Sequence, residues 1–292
     1  MWSTNWSGRS LFMVRLTAAV LLLTACWGSS LYVGLTARSE MPMSTEDATT
    51  DLKITIVYEN TLAEPRLTAG WGFSALIEYE GHTLLFDTGA DGAALLNNMA
   101  ALDIDPLEID TVVLSHNHRD HTGGLAALLA AGVQAEVYVL PSFPVSLKQQ
   151  VAQRTQVIEA KPDQIIYEGL FTTGEMDGST PEQALAIEIS RGIVIITGCA
   201  HPGIIAIVEH IKETSGKPVY LVLGGFHLKD KTRAEIATIV QAFRRLGVQH
   251  VGPCHCTGDQ AIAAFAQEYG DDFVRIGTGT VIEIERLVEA TG

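Results

Sequence analysis

Three histidines and an aspartate occupy one hexapeptide, H-N-H-R-D-H, at residues 116–121. The apolar run at residues 111–114 precedes it and is typical of a short buried strand. Side chains two residues apart in extended backbone point to the same side, so the first two histidines can face one position together. The aspartate and the last histidine fall at the start of the following helix and turn toward a second position. The chain must therefore fold so that one strand end delivers four polar side chains into a single site.

These four side chains are candidate metal ligands: His116, His118, Asp120 and His121. Imidazole suits zinc and iron, and a carboxylate adds a hard oxygen donor. A catalytic metal with two histidine ligands needs a third protein ligand. Two further histidines, His201 and His255, each follow a predicted strand, and loops at a sheet edge are the usual place for catalytic groups. We expect both to join the site.

Cysteines flank these two histidines at positions 199, 254 and 256. Thiolates bind zinc well. Small buried thiols are nevertheless the commoner explanation for cysteines in a domain of this size, and we expect that role for all three.

Short β-rich runs alternate with helical runs along residues 52–292, and the hairpins cluster early in this part. The pattern predicts an α/β fold in which helices pack on a mixed sheet. The predicted strands include Phe273–Ile276 near the end of the chain. Residues 134–190 carry no chemical motif, and we expect them to form a cap over the pocket.

Several segments resemble the metallo-β-lactamase superfamily of metal-dependent hydrolases, and the resemblance extends over about residues 53–287. Within that superfamily the sequence is similar to the branch of dihydropterin ribofuranosylaminobenzene phosphate synthases. The resemblance is carried by Tyr58–Thr61, Trp71–Ser74, Leu85–Gly89, Ser115–Gly124, Gly198–Gly203, Gly224–Leu228 and Pro253–Gly258.

The resemblance implies an αββα sandwich, with one catalytic domain and the metals at one sheet edge. By position it implies two ligand sets: His116, His118 and His201 for the first metal, and Asp120, His121 and His255 for the second. It also implies that Asp87 supports a ligand rather than binding a metal.

The sequence departs from the superfamily pattern at one ligand. Many members carry a metal-bridging aspartate after the strand that corresponds to Val219–Leu223. Here that strand leads into G-G-F-H at residues 224–227, and the nearby aspartate is Asp230. His227 therefore either replaces the bridging carboxylate or faces the substrate as an acid or an anion contact.

These features predict a hydrolase with a binuclear centre of two divalent ions, zinc rather than iron or manganese. A metal-activated hydroxide would attack an ester, a phosphoester or a related small-molecule substrate. Asp120 would orient the hydroxide and accept its proton, and His227 would protonate the leaving group or hold an anionic part of the substrate. The alternatives are a pterin-phosphate synthase-type transferase, a metal-binding sensor or ligand-binding module with weak turnover, and an iron centre with redox chemistry.

The first 37 residues predict export. Residues 16–37 carry no charge, Arg9 and Arg15 precede them, and an acidic linker at 38–51 follows. This asymmetry predicts a membrane-tethered chain with its catalytic domain, residues 52–292, outside the cytoplasm. The segment L-T-A-C ending at Cys26 resembles a lipoprotein cleavage box, whereas the uncharged run is also long enough for a signal anchor. Translation from Met41 would instead give a cytoplasmic protein.

The charge balance bears on the partners. The chain has 19 basic and 34 acidic residues, a net charge of -15. Nucleic-acid binding normally requires a basic face, so we expect a small-molecule substrate and no nucleic acid.

Overall fold

The structure is a computed structural model that describes residues 50–285. Its strands are β1 Thr50–Tyr58, β2 Ser74–Tyr79, β3 His82–Phe86, β4 Thr111–Val113, β5 Glu136–Val139, β6 Val157–Glu159, β7 Gln164–Tyr167, β8 Leu170–Thr172, β9 Leu185–Ile189, β10 Gly192–Thr197, β11 Val219–Gly225, β12 His250–Cys254 and β13 Val281–Glu285. Its α-helices are α1 Gly92–Ala101, α2 Arg119–Thr122, α3 Leu125–Ala130, α4 Val145–Ala152, α5 Ile204–Ser215, α6 Arg233–Leu246 and α7 Asp259–Tyr269.

The strands form two mixed sheets. The first sheet has seven strands in the order β13-β1-β2-β3-β4-β5-β6, and the second has six in the order β12-β11-β10-β9-β8-β7. Strands β3 to β6 run parallel, and so do β10, β11 and β12. Parallel strands bring their carboxyl ends to a common edge, which is where ligand sites form in open α/β sheets.

The inner faces of the two sheets pack against each other. Ile54 and Ile77 of the first sheet belong to the same buried cluster as Ile187 and Leu223 of the second. All six residues of β10 are buried. A strand covered on both faces is expected to read as an unbroken apolar run, and β10 does.

Helices cover both outer faces. Leu95 of α1 and Leu128 of α3 pack on the first sheet in one buried cluster. A separate cluster joins Val208 of α5, Phe243 of α6 and Phe265 of α7 to the outer face of the second sheet. The layers are therefore helix, sheet, sheet and helix, which confirms the predicted αββα sandwich.

Two predicted features near the sheets are wrong. Phe273–Ile276 is not a strand, because Phe273 makes an isolated bridge to Val251 and no strand pairing continues through Ile276. Residues 134–190 are not mainly a cap: they supply strands β5 to β9, which are divided between the two sheets. Within this segment, the loop between β8 and β9 contacts the site described below.

The predicted N-terminal segment, residues 1–37, lies outside the described residues, and so does most of the predicted linker. Strand β1 begins at Thr50, two residues before the expected start of the domain. Within residues 50–285, no helix has the length and apolar character that a membrane crossing requires.

Candidate metal centre

The carboxyl ends of four strands converge on one polar site. The hexapeptide at 116–121 follows β4 in the first sheet, and His201, His227 and His255 follow β10, β11 and β12 in the second. The backbone bends sharply at two of these ends, because φ is positive there, 53° at His227 and 51° at His255. Positive φ is uncommon outside glycine and concentrates at functional sites.

The structure brings together the first predicted ligand set. His116 Nε2 lies 3.0 Å from His118 Nδ1. The ring centre of His201 is 4.8 Å from that of His116 and 5.0 Å from that of His118. His118 caps α2 in an extended conformation, which turns its ring toward the ring of His116.

The second predicted set also comes together, beside the first. His121 Nε2 is 3.2 Å from His255 Nε2. Asp120 Oδ2 is 3.3 Å from the same His255 nitrogen and 3.8 Å from His121 Nε2. The two sets adjoin, because the rings of His116 and His121 are 4.2 Å apart between centres.

The donor atoms fit divalent metal ions. With Zn–N bonds of about 2.0–2.1 Å and tetrahedral angles, two nitrogens on one zinc ion lie roughly 3.3 Å apart. The close nitrogen pairs of both sets, at 3.0 and 3.2 Å, are near this separation. Among the described residues, His201 Nε2 is a buried side-chain nitrogen without a hydrogen-bond partner. A buried nitrogen without a hydrogen-bond partner costs folding free energy unless a bound ligand satisfies it.

Asp87 orients the imidazole of His121 directly and that of His116 through Ser115. His121 Nδ1 donates to Asp87 Oδ2 at 2.7 Å. Ser115 donates its backbone N–H to Oδ1 and its hydroxyl to Oδ2, both at 2.7 Å, and the same hydroxyl contacts His116 Nδ1 at 2.9 Å. Engaging both Nδ1 atoms leaves both Nε2 atoms directed into the site, which is how supporting groups set a ligand tautomer. Asp87 thus lies where the resemblance implied.

Glu59 and Asn60, at the end of β1, hold His255. Glu59 Oε1 accepts a hydrogen bond from the His255 backbone N–H at 2.8 Å. Asn60 Oδ1 lies 3.2 Å from His255 Nδ1, and its amide donates to the His255 carbonyl at 3.0 Å. Both residues fall in a segment that carried the family resemblance, but the sequence contained no signal of what they contact.

Glu182 supports the loop that carries His201 and was not predicted. Its carboxylate accepts three backbone N–H groups, from Cys199 at 2.7 Å and from Ala200 and His201 at 2.8 Å. Burial raises the pKa of Glu182 to about 7, against the opposing effect of these hydrogen bonds. Ser179, on the same β8–β9 loop, contacts His201 Nδ1 at 3.2 Å. The segment around Glu182 has no ligand spacing, so only the folded chain identifies it.

His227 lies at the rim rather than between the donor sets. Its side chain is exposed, and its ring centre is 4.3 Å from that of His201. A hydrogen bond with Cys256 raises its pKa, with burial opposing. On the rim beside His255, the exposed Trp71 ring lies 4.8 Å from the imidazole, and the Lys229 ammonium lies 5.3 Å from the Trp71 ring centre.

The electrostatics favour the metal-binding forms of His116, His201 and Asp120. Burial, followed by repulsion from His121, lowers the pKa of His116 far below its usual range. Burial, followed by His227, lowers the pKa of His201 to about 4. Burial works to raise the pKa of Asp120, but a hydrogen bond from His255 and the charge of His121 outweigh it, so the net shift is downward. Neutral imidazoles and an ionised carboxylate are the species that bind metals.

The architecture and the site define a candidate metalloprotein with helices outside two sheets and ligands at the strand ends. Residues 68–215 match the model of the metallo-beta-lactamase superfamily, and the chain belongs to that superfamily. The predicted family is therefore confirmed.

Comparisons with individual proteins agree with this assignment to the superfamily. The chain is 31% identical over 263 residues to the 7,8-dihydropterin-6-methyl-4-(beta-D-ribofuranosyl)-aminobenzene-5'-phosphate synthase of Methanocaldococcus jannaschii, covering 73% of this chain and 89% of the relative. It resembles the structure of Tm1679, described as a metal-dependent hydrolase of the beta-lactamase superfamily, with a TM-score of 0.69, 28% identity, and coverage of 80% of this chain and 99% of the other. YhfI from Bacillus subtilis, at 17% identity, shares the fold with a TM-score of 0.61 over 80% of this chain and 100% of its own.

Proposed function

We propose that this protein is a metal-dependent hydrolase that uses a binuclear centre on an ester, a phosphoester or a related small molecule. The observation that carries the proposal is the pair of adjoining donor sets, whose nitrogens converge at 3.0 and 3.2 Å. Membership of the metallo-beta-lactamase superfamily supports an enzyme of this kind. We further propose zinc as the metal, because imidazole dominates both sets.

His116, His118 and His201 would hold one ion, and Asp120, His121 and His255 the other. Bound there, the metals would lower the pKa of a water toward ~7 and polarise the scissile bond. Asp120 is ionised and its side chain is 20% exposed, so it can orient the attacking water and accept its proton. Asp87 and Ser115 would keep the rings of His121 and His116 from rotating while the substrate reacts, and Glu182 would hold the backbone of His201.

We propose that His227 protonates the leaving group. It is exposed beside His201, and its pKa is raised, so the protonated imidazole is available nearer neutral pH. Lys229 and Trp71 add a cation and an aromatic face to the rim on the His255 side. This combination favours a substrate with an anionic part.

A transferase of the pterin-phosphate synthase type is the second candidate. The observation that favours it is the 31% identity to the Methanocaldococcus jannaschii synthase across 89% of that protein. The name of that relative describes a phosphorylated ribofuranosyl product, which would also suit an anion-binding rim.

One assay separates the two candidates. Zinc-loaded protein is incubated with carboxylic esters, thioesters, phosphomonoesters and phosphodiesters, after chelation and after zinc is restored. The hydrolase proposal expects turnover of at least one class with water as the second reactant, lost with chelator and lost in Asp120→Asn. A parallel reaction contains a reduced pterin and a ribofuranosyl aminobenzene phosphate. Product formed only in that reaction would favour the transferase and contradict the hydrolase.

A further inference from the structure

Cys199 lies between the two donor sets, on the loop that follows β10. Its Sγ is 3.3 Å from His121 Nε2. The same sulfur forms one group with ring nitrogens of His116 and His201, another with His121 and His255, and a third with His227 and Cys256. In each group all donor atoms lie within 4.8 Å of one another. The thiol is therefore a donor common to both sets.

The backbone holds this thiol in place. Cys199 is 3% exposed, and its N–H donates to Glu182 Oε1 at 2.7 Å. The next residue, Ala200, has a positive φ of 58°, which turns the chain so that Cys199 and His201 both face the donors. The carboxylate that positions His201 thus positions Cys199 as well.

The neighbouring strand has no room for a carboxylate side chain at Gly225. A Cβ atom on Gly225, at the end of β11, would clash first with the backbone carbonyl oxygen of Gly198, and it would also lie 2.7 Å from Cys256 Sγ and 3.2 Å from Cys199 Cα. Contacts this close exclude a side chain at Gly225 without rearrangement. The space beside this strand end is therefore filled by the backbone of Gly198 and Cys199 and by the side chain of Cys256.

We propose that Cys199 is a metal ligand shared by both ions, bound as a thiolate. The proposal rests on the binuclear centre of the proposed function and adds a ligand to each of its sets. On coordination the thiol loses its proton to solvent and the sulfur donates to both metals, which places one negative charge between two cations. It supplies the anionic bridge for which β11 has no aspartate.

X-ray absorption at the zinc edge of the wild-type protein tests the assignment without any variant. The protein is reduced and loaded with two zinc ions. A shared thiolate gives each zinc about one sulfur neighbour at about 2.3 Å. An average of about half a sulfur per zinc would mean that the thiolate binds one ion, and would overturn the sharing. A shell of nitrogen and oxygen alone would overturn the ligand itself.

Cobalt-substituted variants identify which cysteine is bound. Cys199→Ser should lose the thiolate-to-cobalt charge-transfer band while retaining the visible bands of histidine-bound cobalt. Cys254→Ser and Cys256→Ser should keep the charge-transfer band; Cys254 is the matched control because it is buried in the cluster between the sheets. A band that survives in Cys199→Ser and vanishes in Cys256→Ser would overturn the proposal.

A carboxylate variant covers the case in which Cys199→Ser does not fold. Cys199→Asp should retain two metal ions per chain and lose the sulfur signal. The outcomes also separate this proposal from the proposed function. In the wild-type protein, two bound ions without a sulfur neighbour would overturn the thiolate ligand and leave the hydrolase proposal standing. A sulfur shell without hydrolysis of any substrate supports the thiolate and contradicts the hydrolase. Failure to bind metal overturns both.

Discussion

Glu182 Oε2 accepts a hydrogen bond from the backbone N–H of His201 at 2.8 Å, and this contact ties a buried carboxylate to a candidate ligand loop. The other oxygen, Oε1, accepts from Cys199 and Ala200. Glu59 does the same for the loop of His255. Each ligand loop of the second sheet is thus held by a buried acid from another element, which fixes the backbone before any metal binds.

Glu182→Gln should weaken this support. An amide offers one acceptor oxygen in place of two, so at least one of the three N–H groups loses its partner or faces another donor. We expect the free energy of unfolding to fall by about 1–3 kcal/mol and the zinc affinity to fall as well. Chemical denaturation and competitive zinc titration measure the two quantities. Glu168→Gln is the matched control, because Glu168 is exposed and should tolerate the change. Unchanged zinc affinity in Glu182→Gln would contradict the positioning role.

Asp87→Asn should reduce metal affinity without unfolding the chain. Asparagine has the same shape and tolerates the φ of 58° at this position, but its amide cannot accept from His121 and Ser115 on both sides. Loss of such a supporting carboxylate typically lowers metal affinity about 10- to 100-fold. Zinc titration against a chelator measures the change. Asp91→Asn is the control, because Asp91 caps α1 and asparagine caps helices equally well. Equal affinities in the two variants would refute the role of Asp87.

The hexapeptide could be read from the sequence because its spacing is local. His116 and His118 sit two residues apart after a strand, and that geometry needs no knowledge of the rest of the fold. His201 and His255 were identified because each follows a predicted strand, and the strand ends do meet. Glu182 and Glu59 could not be identified, because their carboxylates act on backbone N–H groups of distant loops.

Short strands limited the prediction of the fold. Strands β6 and β8 have three residues each and β7 has four, which is too short for an alternating pattern to stand out. The predicted strand Phe273–Ile276 is wrong because its apolar pattern overstated the strand. Its apolar residues predict a strand, but Ile276 packs into the cluster between the sheets and Val274 makes one hydrogen bond with Val251.

His118→Ala should reduce the zinc-dependent stabilisation and leave the stability of the metal-free protein unchanged. The His118 side chain is exposed, so its removal costs little packing. A metal ion at a free concentration of 100 times its Kd stabilises a folded protein by about 2.7 kcal/mol. Loss of one protein side chain that binds the metal removes much of that stabilisation. Thermal unfolding with and without zinc measures it. The exposed neighbour Asn117→Ala should keep the full zinc shift. A zinc shift in His118→Ala equal to the wild type would exclude His118 as a ligand.

Thr232→Ala should destabilise the fold far from the metal centre. Thr232 caps α6 by accepting the N–H of Glu235, in a capping box. Replacing such a cap with alanine costs about 0.5–2 kcal/mol. Zinc affinity and activity should not change. Thr238→Ala serves as control: Thr238 lies within the same helix, where alanine is favoured, so no loss is expected. The denaturant midpoints of the two variants, each compared with that of the wild type, measure the loss of stability.

Cell fractionation with external protease tests the proposed tethering of the chain to a membrane. The uncharged run at 16–37, with Arg9 and Arg15 before it, predicts that the metal domain faces outward. Full-length protein that stays in the soluble cytosolic fraction and resists protease would contradict tethering and favour translation from Met41.

Cys26→Ser distinguishes the two forms of tether. If Cys26 is the lipidated first residue of the mature chain, the substitution should block cleavage, and the protein should gain the mass of the 25 preceding residues and lose its acyl chains. If the run is a retained anchor, the variant should match the wild type in mass and in membrane fraction. Intact mass spectrometry of the membrane fraction reads out both. The tether matters for the chemistry, because a metal domain outside the cytoplasm meets a different set of small molecules from one that works inside it.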